Sequence, residues 1–383
     1  MSGEKDVVSS RLQYIDNLKV LLTVLVILHH AIITYGAPGS WYYKESNPGP
    51  ITFAFFTLFV ATNQAFFMGM FFMFGGFFTP SSYDRKGMAQ FLKDRFMRLG
   101  IPIIFYTLFI HPFTLLLLRV SVWHFRGNST ELMRQFLQDC NGFHVGPLWF
   151  TQNLLLFVTI YVVYQQIAVR RNQNVVKVTR KPTTAKIIFF IVALSLVTFL
   201  VRLYFPVGRF TDYFNVQFGH FSQYVALFIV GIVAYHRGWL TEIPLSLSKV
   251  WFGVVLLFII FNSIFILAGA SDGNIQPYLG GLSWQALVAA VWEQFVGVSM
   301  IIALLSLFYN KFNYQGKLLK TLASSCYTVY IIHPVILVII TIVIKDFSLH
   351  PAMKFFVLGI LSVPVCFALG CLIKKLPLAK RIL

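Results

Sequence analysis

Tyr14-Ile15-Asp16-Asn17-Leu18-Lys19-Val20-Leu21-Leu22-Thr23-Val24-Leu25-Val26-Ile27-Leu28-His29-His30-Ala31-Ile32-Ile33-Thr34-Tyr35 is an apolar run with ionisable residues only towards its two ends. At about 1.5 Å per helical residue it is long enough to cross a hydrocarbon layer of roughly 30 Å. Nine comparable runs follow, at 51–78, 101–120, 148–167, 185–204, 221–235, 250–268, 284–309, 326–344 and 355–373. The sixth is short and the eighth long. The pattern predicts an all-α fold, a polytopic transmembrane helical bundle of about ten spans forming one membrane-embedded domain over residues 1–383.

Composition agrees. Of 383 residues, 57% are hydrophobic and 11% charged, against about 25% charged in a soluble globular chain; the mean hydropathy is +0.74. An even number of spans puts both termini on one side of the bilayer, and the basic residues choose the side. With the amino terminus inside, 23 of the 31 Lys and Arg fall in cytoplasmic segments, so both termini are expected to be cytoplasmic. The net charge of +18 is then explained by loops facing an anionic leaflet, and nucleic acid is not an expected partner. The first run is too long for a secretory leader and has no small-residue cleavage site, so it is expected to remain as a span. Of four cysteines, Cys326, Cys366 and Cys371 fall within predicted helices and Cys140 in an outer loop, which excludes an intramolecular disulfide on the outer face. Nine histidines are present, but none falls in a metal-ligand spacing, and no metal is expected.

The two faces differ. Basic residues crowd the connections 84–100 and 170–186, whereas the outer segments 36–50, 121–147 and 269–283 hold Gly, Pro, Asn, Trp and Tyr. That mixture suits contact with a sugar-like molecule, or interfacial anchoring by aromatics. No internal repeat or low-complexity linker is visible.

Polar residues inside apolar runs carry the chemistry. Lys19 and His30 are eleven residues apart, which returns to within roughly 20° of the same direction about 16 Å further along a helix; Asp16 lies on the same stripe, and His29 points about 100° away. Imidazole titrates near neutrality and can take a proton from a hydroxyl, so His30 is a candidate base, with an interhelical hydrogen bond as the structural alternative. Glu293 is a carboxylate deep in the eighth run; it could orient His30, or serve an amide such as Asn63 or Gln64. Arg95 and Arg98, three apart before the third run, would make one cationic clamp on a helical turn, suited to phosphate; the inside excess of positive charge accounts for them equally well. His333 precedes Pro334, which frees a backbone carbonyl, and His333 either donates to exposed backbone or lines a ligand site.

Taken together, these elements resemble the acyltransferase 3 family of bacterial membrane O-acyltransferases. Asp16, Leu18, Lys19 and His30 fit the family's opening pattern, and Arg95, Arg98 and Pro102 its Arg-x-x-Arg with a nearby proline. The stretches Leu148-Trp149-Phe150 and Tyr330 to Pro334 are also similar to family signatures. The first-helix cation is Lys where Arg is commoner, and the doubled histidine leaves the choice between His29 and His30 open. The resemblance implies transfer of an acyl group, acetyl or succinyl, from cytosolic acyl-CoA across the bilayer to a hydroxyl of a cell-surface or periplasmic glycan. It implies that His30 is the base, that Arg95 and Arg98 lie near the donor's phosphates, and a place in the bacterial inner membrane; with the residue reading above, the candidate catalytic set is His30 and Glu293 and the donor-binding set Arg95, Arg98, Lys19, Asp16 and His333. Absence of an appended hydrolase-like domain is similar to the periplasmic glucan succinyltransferases. Direct attack assisted by His30 and transfer through an acyl-histidine both stay open, as does a homo-oligomer. The alternative from another class is a secondary transporter or flippase of a small polar or lipid-linked substrate, against which stands the absence of paired broken helices.

Overall fold

The computed structural model describes residues 12–45, 48–141, 144–170, 181–210, 216–272 and 276–382. The basic residues of the amino-terminal tail before Leu12, and positions 171–180 of the second basic connection, lie outside the described residues.

Helices make up the ordered elements among the described residues: α1 (Gln13–Thr34), α2 (Pro50–Arg95), α3 (Ile101–Phe105), α4 (His111–Ser121), α5 (Ser129–Asn141), α6 (Trp149–Arg170) and α7 (Thr184–Tyr204). The second half adds α8 (Phe221–Arg237), α9 (Leu245–Asp272), α10 (Gln276–Leu279), α11 (Trp284–Lys311), α12 (Lys317–Ile344), α13 (Pro351–Ile373) and α14 (Pro377–Ile382). Among the described residues, eight helical stretches are long and apolar enough to cross a membrane. One of them, Pro50–Ser121, is 72 residues long and holds two of the predicted runs. It doubles back at Gly87, whose φ of +70° breaks the helix. Lys86 pairs with Asp94 across this reversal, and the Tyr83 and Phe91 rings meet edge to face at 5.7 Å. With α9, which carries a further apolar stretch over Leu245–Phe261, the architecture is an all-α polytopic bundle of eight to ten crossings.

Two ends of the bundle can be told apart by their hydrogen bonds. At one, the start of α1 meets the α11–α12 connection: Asn17 Nδ2 donates to the carbonyls of Phe312 (2.6 Å) and Tyr314 (2.9 Å). The end of α13 reaches the same region, where Lys374 Nζ donates to Ser324 O at 2.5 Å. This is called the Asn17 end. At the other, the α1–α2 connection folds over the bundle, with Glu45 N–H on Thr34 O (2.7 Å) and both Glu45 carboxylate oxygens 3.0 Å from Lys354 Nζ.

Three differences from the sequence expectations have local causes. The segment 121–147, expected as loop, contains α5, because Asn128 Oδ1 accepts the Glu131 N–H (2.9 Å) and caps a helix that an Arg119–Asp139 ion pair ties to α4. The connection 84–100 is helical almost throughout, apart from the Gly87 reversal. Arg98 sits not on an α-turn but on a π-turn, Phe96–Gly100. Pro102 has no N–H to give the carbonyl four residues back, and the freed Arg98 carbonyl accepts the Tyr327 hydroxyl at 2.7 Å.

α2 and α8 approach one another closely. A Cβ at Gly231 would lie 2.1 Å from Met73 O, and one at Gly76 2.0 Å from Phe228 O. Backbone meets backbone there, as small residues permit in membranes. Gly231→Leu is therefore expected to force the helices apart at a cost of about 1–3 kcal/mol or more. A parent-like unfolding midpoint in detergent would contradict that packing.

Candidate active site

α1 directs its two histidines to different neighbours. His29 is 6% exposed; Asn63 Nδ2 donates to its Nδ1 at 3.3 Å, and its ring lies 5.0 Å from Phe67. His30 is half-buried. Its ring is stacked under Trp41 (4.0 Å, 17°) and lies near-parallel to His333 (5.3 Å, 22°). Trp41 reaches that position because the chain turns at Gly36 (φ +112°) and Gly39 (φ +141°), where a Cβ would strike Pro48 and Ile33. The next residue, Tyr42, is fixed by its hydroxyl, 2.7 Å from Tyr106 Oη and 2.8 Å from His111 Nδ1.

His333 is fully buried in α12, and its Nδ1 lies 2.7 Å from Tyr330 O. Pro334 leaves that carbonyl without its helical donor, so the bond follows from the proline. The Tyr330 hydroxyl in turn donates to Pro147 O. Two buried ring nitrogens, His30 Nδ1 and His333 Nε2, have no hydrogen-bond partner among the described residues. Unpaired polar atoms are rare in protein interiors, and a pair on facing side chains marks a place built for polar chemistry.

The cations expected at the donor side lie towards the opposite end of α1. Lys19 Nζ is 3.3 Å from Asp16 Oδ1 and 4.6 Å from the centre of the Phe78 ring. Arg95 lies over the Phe91 ring at 4.9 Å, and Arg98 is exposed. Tyr327, which holds the Arg98 carbonyl, is on the same helix as His333, so α12 links the arginine turn to the histidine pair.

Glu293 does not orient His30. Its carboxylate is engaged by Arg202 Nη2 (2.5 Å) and by His220 Nδ1 (2.9 Å), and Arg202 also donates to Gly219 O (2.9 Å). Nor does it serve Asn63 or Gln64: the latter donates to Tyr224 Oη at 2.8 Å. The reason is electrostatic. Arg202 is 2% exposed, and a cation taken out of water needs a counter-charge close by. Hydrogen bonds extend the cluster through Gln294 to Thr198 (3.2 Å) and Gln223 (2.9 Å), joining α7, α8 and α11. Trp41, Tyr42 and Arg202 were thus not distinguished by sequence. A tryptophan five residues beyond a glycine at a helix end was the available hint for the first.

A polytopic helical bundle that brings the His30 and His333 rings together defines an integral membrane protein. An acyltransferase domain, that of the acyltransferase 3 family, matches residues 12–371. The chain belongs to that family and is a membrane-bound acyltransferase, which sets aside the transporter and flippase alternative. Glucans biosynthesis protein C of Escherichia coli O6:K15:H31 (strain 536 / UPEC) is 22% identical over 335 residues, covering 85% of this chain and 82% of the relative. No solved structure matches.

Proposed function

We propose that the protein transfers an acyl group, succinyl or acetyl, from acyl-CoA to a hydroxyl of a cell-surface or periplasmic glycan. The observation that carries this is the half-buried His30, with a ring nitrogen that has no hydrogen-bond partner among the described residues, stacked under Trp41 in the half of α1 away from Lys19. The Asn17 end faces the cytoplasm of a bacterial inner membrane in this proposal, in keeping with the excess of Lys and Arg in the segments assigned inside. Coenzyme A phosphates are held there by Arg95 and Arg98, assisted by Lys19. The glycan enters at the Trp41 end, where Trp41 and Tyr42 offer aromatic faces suited to a sugar. The likeness to a glucans biosynthesis protein supports a glucan as acceptor.

Attack by the glycan hydroxyl forms the ester C–O bond and breaks the thioester C–S bond. His30 takes the hydroxyl proton, and coenzyme A leaves as thiolate and is then protonated. In the covalent variant the acyl group rests first on a His30 nitrogen.

The test is transfer by purified protein in nanodiscs from radiolabelled succinyl-CoA or acetyl-CoA to an oligomeric glucan. Alkali-labile label on the glucan is the expected result. Neither donor yielding labelled glucan, with the protein folded, would sink the proposal.

A further inference from the structure

We propose that His333 is the positioning residue for His30, forming with it a relay of two imidazoles anchored on the Tyr330 carbonyl. The proposal rests on the acyl-transfer function given above. It begins with Pro334, which has no N–H for the carbonyl four residues earlier. That carbonyl is Tyr330 O, and His333 Nδ1 lies 2.7 Å from it. A carbonyl only accepts, so the ring nitrogen carries the proton, and a neutral imidazole with its proton on Nδ1 has its lone pair on Nε2. The backbone break thereby selects one tautomer of a fully buried histidine.

The selected lone pair has no partner among the described residues, and neither has His30 Nδ1. The two atoms are complementary: an N–H on His30 Nδ1 would satisfy His333 Nε2. Ring positions allow it. The centroid separations of 4.0 Å (His30 to Trp41), 5.3 Å (His30 to His333) and 6.1 Å (Trp41 to His333) make an angle close to a right angle at His30. Trp41 therefore covers a face of His30, while His333 approaches from a direction roughly perpendicular to Trp41, with planes only 22° apart. In the proposed relay a shift of the two rings towards one another, or one bridging water, completes the hydrogen bond.

With its proton on Nδ1 and directed to His333, His30 has its own lone pair on Nε2, the form needed to take a proton from the acceptor hydroxyl. A buried carboxylate does the same for the base of a hydrolase triad. Here a neutral acceptor does it, so no further ion is buried beside His30. The orienting role that the sequence suggested for Glu293 thus falls to His333.

Two measurements decide the matter. Long-range proton–nitrogen NMR on histidine-labelled protein in nanodiscs, assigned with His333→Gln, should show His333 protonated at Nδ1. Kinetically, His333→Leu should lower kcat about 10-fold or more with little change in donor KM, between the loss of a partner that orients a metal-bound histidine and the loss of the orienting carboxylate of a triad. His333→Gln can donate to the Tyr330 carbonyl through its amide and accept from His30 through its oxygen, and should recover most of the loss. A proton on Nε2 of His333, unchanged kcat in a folded leucine variant, or a glutamine variant as impaired as the leucine one would each overturn the relay. If the leucine variant fails to fold, the glutamine variant and the parent's tautomer still decide. Parent protein that transfers no acyl group overturns the assigned function instead, and the tautomer then tests the hydrogen-bonded pair separately.

Discussion

His30→Ala is expected to lower acyl transfer by about 10³-fold, within the range lost when a positioned acid–base group is removed. Alanine keeps the helix, and the lost contacts are ring stacking with Trp41, proximity to His333 and an edge contact with His29, so the fold should survive. His29→Ala is the informative control. It removes the Asn63 hydrogen bond and the packing against Phe67, and should cost stability while leaving most activity. The measurement is initial rate with labelled donor, beside the thermal midpoint of each variant. Full activity in a folded His30→Ala protein would remove His30 from the mechanism.

The largest expected effect on stability is at Glu293. Glu293→Leu leaves Arg202, 2% exposed, without its carboxylate. Removing one partner of a buried ion pair costs about 3–5 kcal/mol because the survivor remains charged and desolvated. Pairing the change with Arg202→Leu removes both charges and should return a large part of that loss. Unfolding midpoints of the three variants in one detergent check the cycle. A single Glu293→Leu variant as stable as the parent would show that the ion pair does not hold α7, α8 and α11 together.

What sequence made legible was what depends on near neighbours along the chain. Apolar runs found the helices because lipid-facing length is a property of each run alone. The eleven-residue spacing put Lys19 and His30 towards opposite ends of α1 for the same reason. Pro334 signalled the His333–Tyr330 bond, since a proline's effect reaches only one turn back. What could not be read depended on which helices meet. Glu293 and Arg202 are 91 positions apart, and nothing in either run names the other as its counter-ion. Likewise Trp41 resembled any aromatic of an outer loop; its seat on His30 follows from the turns at Gly36 and Gly39. Gly87 lay in a stretch read as a basic connection, and its positive φ turned that stretch into a helical reversal.

The connection between α1 and α2 is pinned at Gly36, whose backbone L-residues seldom adopt, and at Glu45, which is bonded to both Thr34 and Lys354. Trp41 lies midway between these two fixed points. Such a segment behaves as a ruler: its side chains can vary, but its residue count sets where the indole lands. Insertion or deletion between 36 and 45 would displace the ring from His30 without altering a single helix, so the length of this segment, more than its residue types, sets the shape of the site at this end of the bundle.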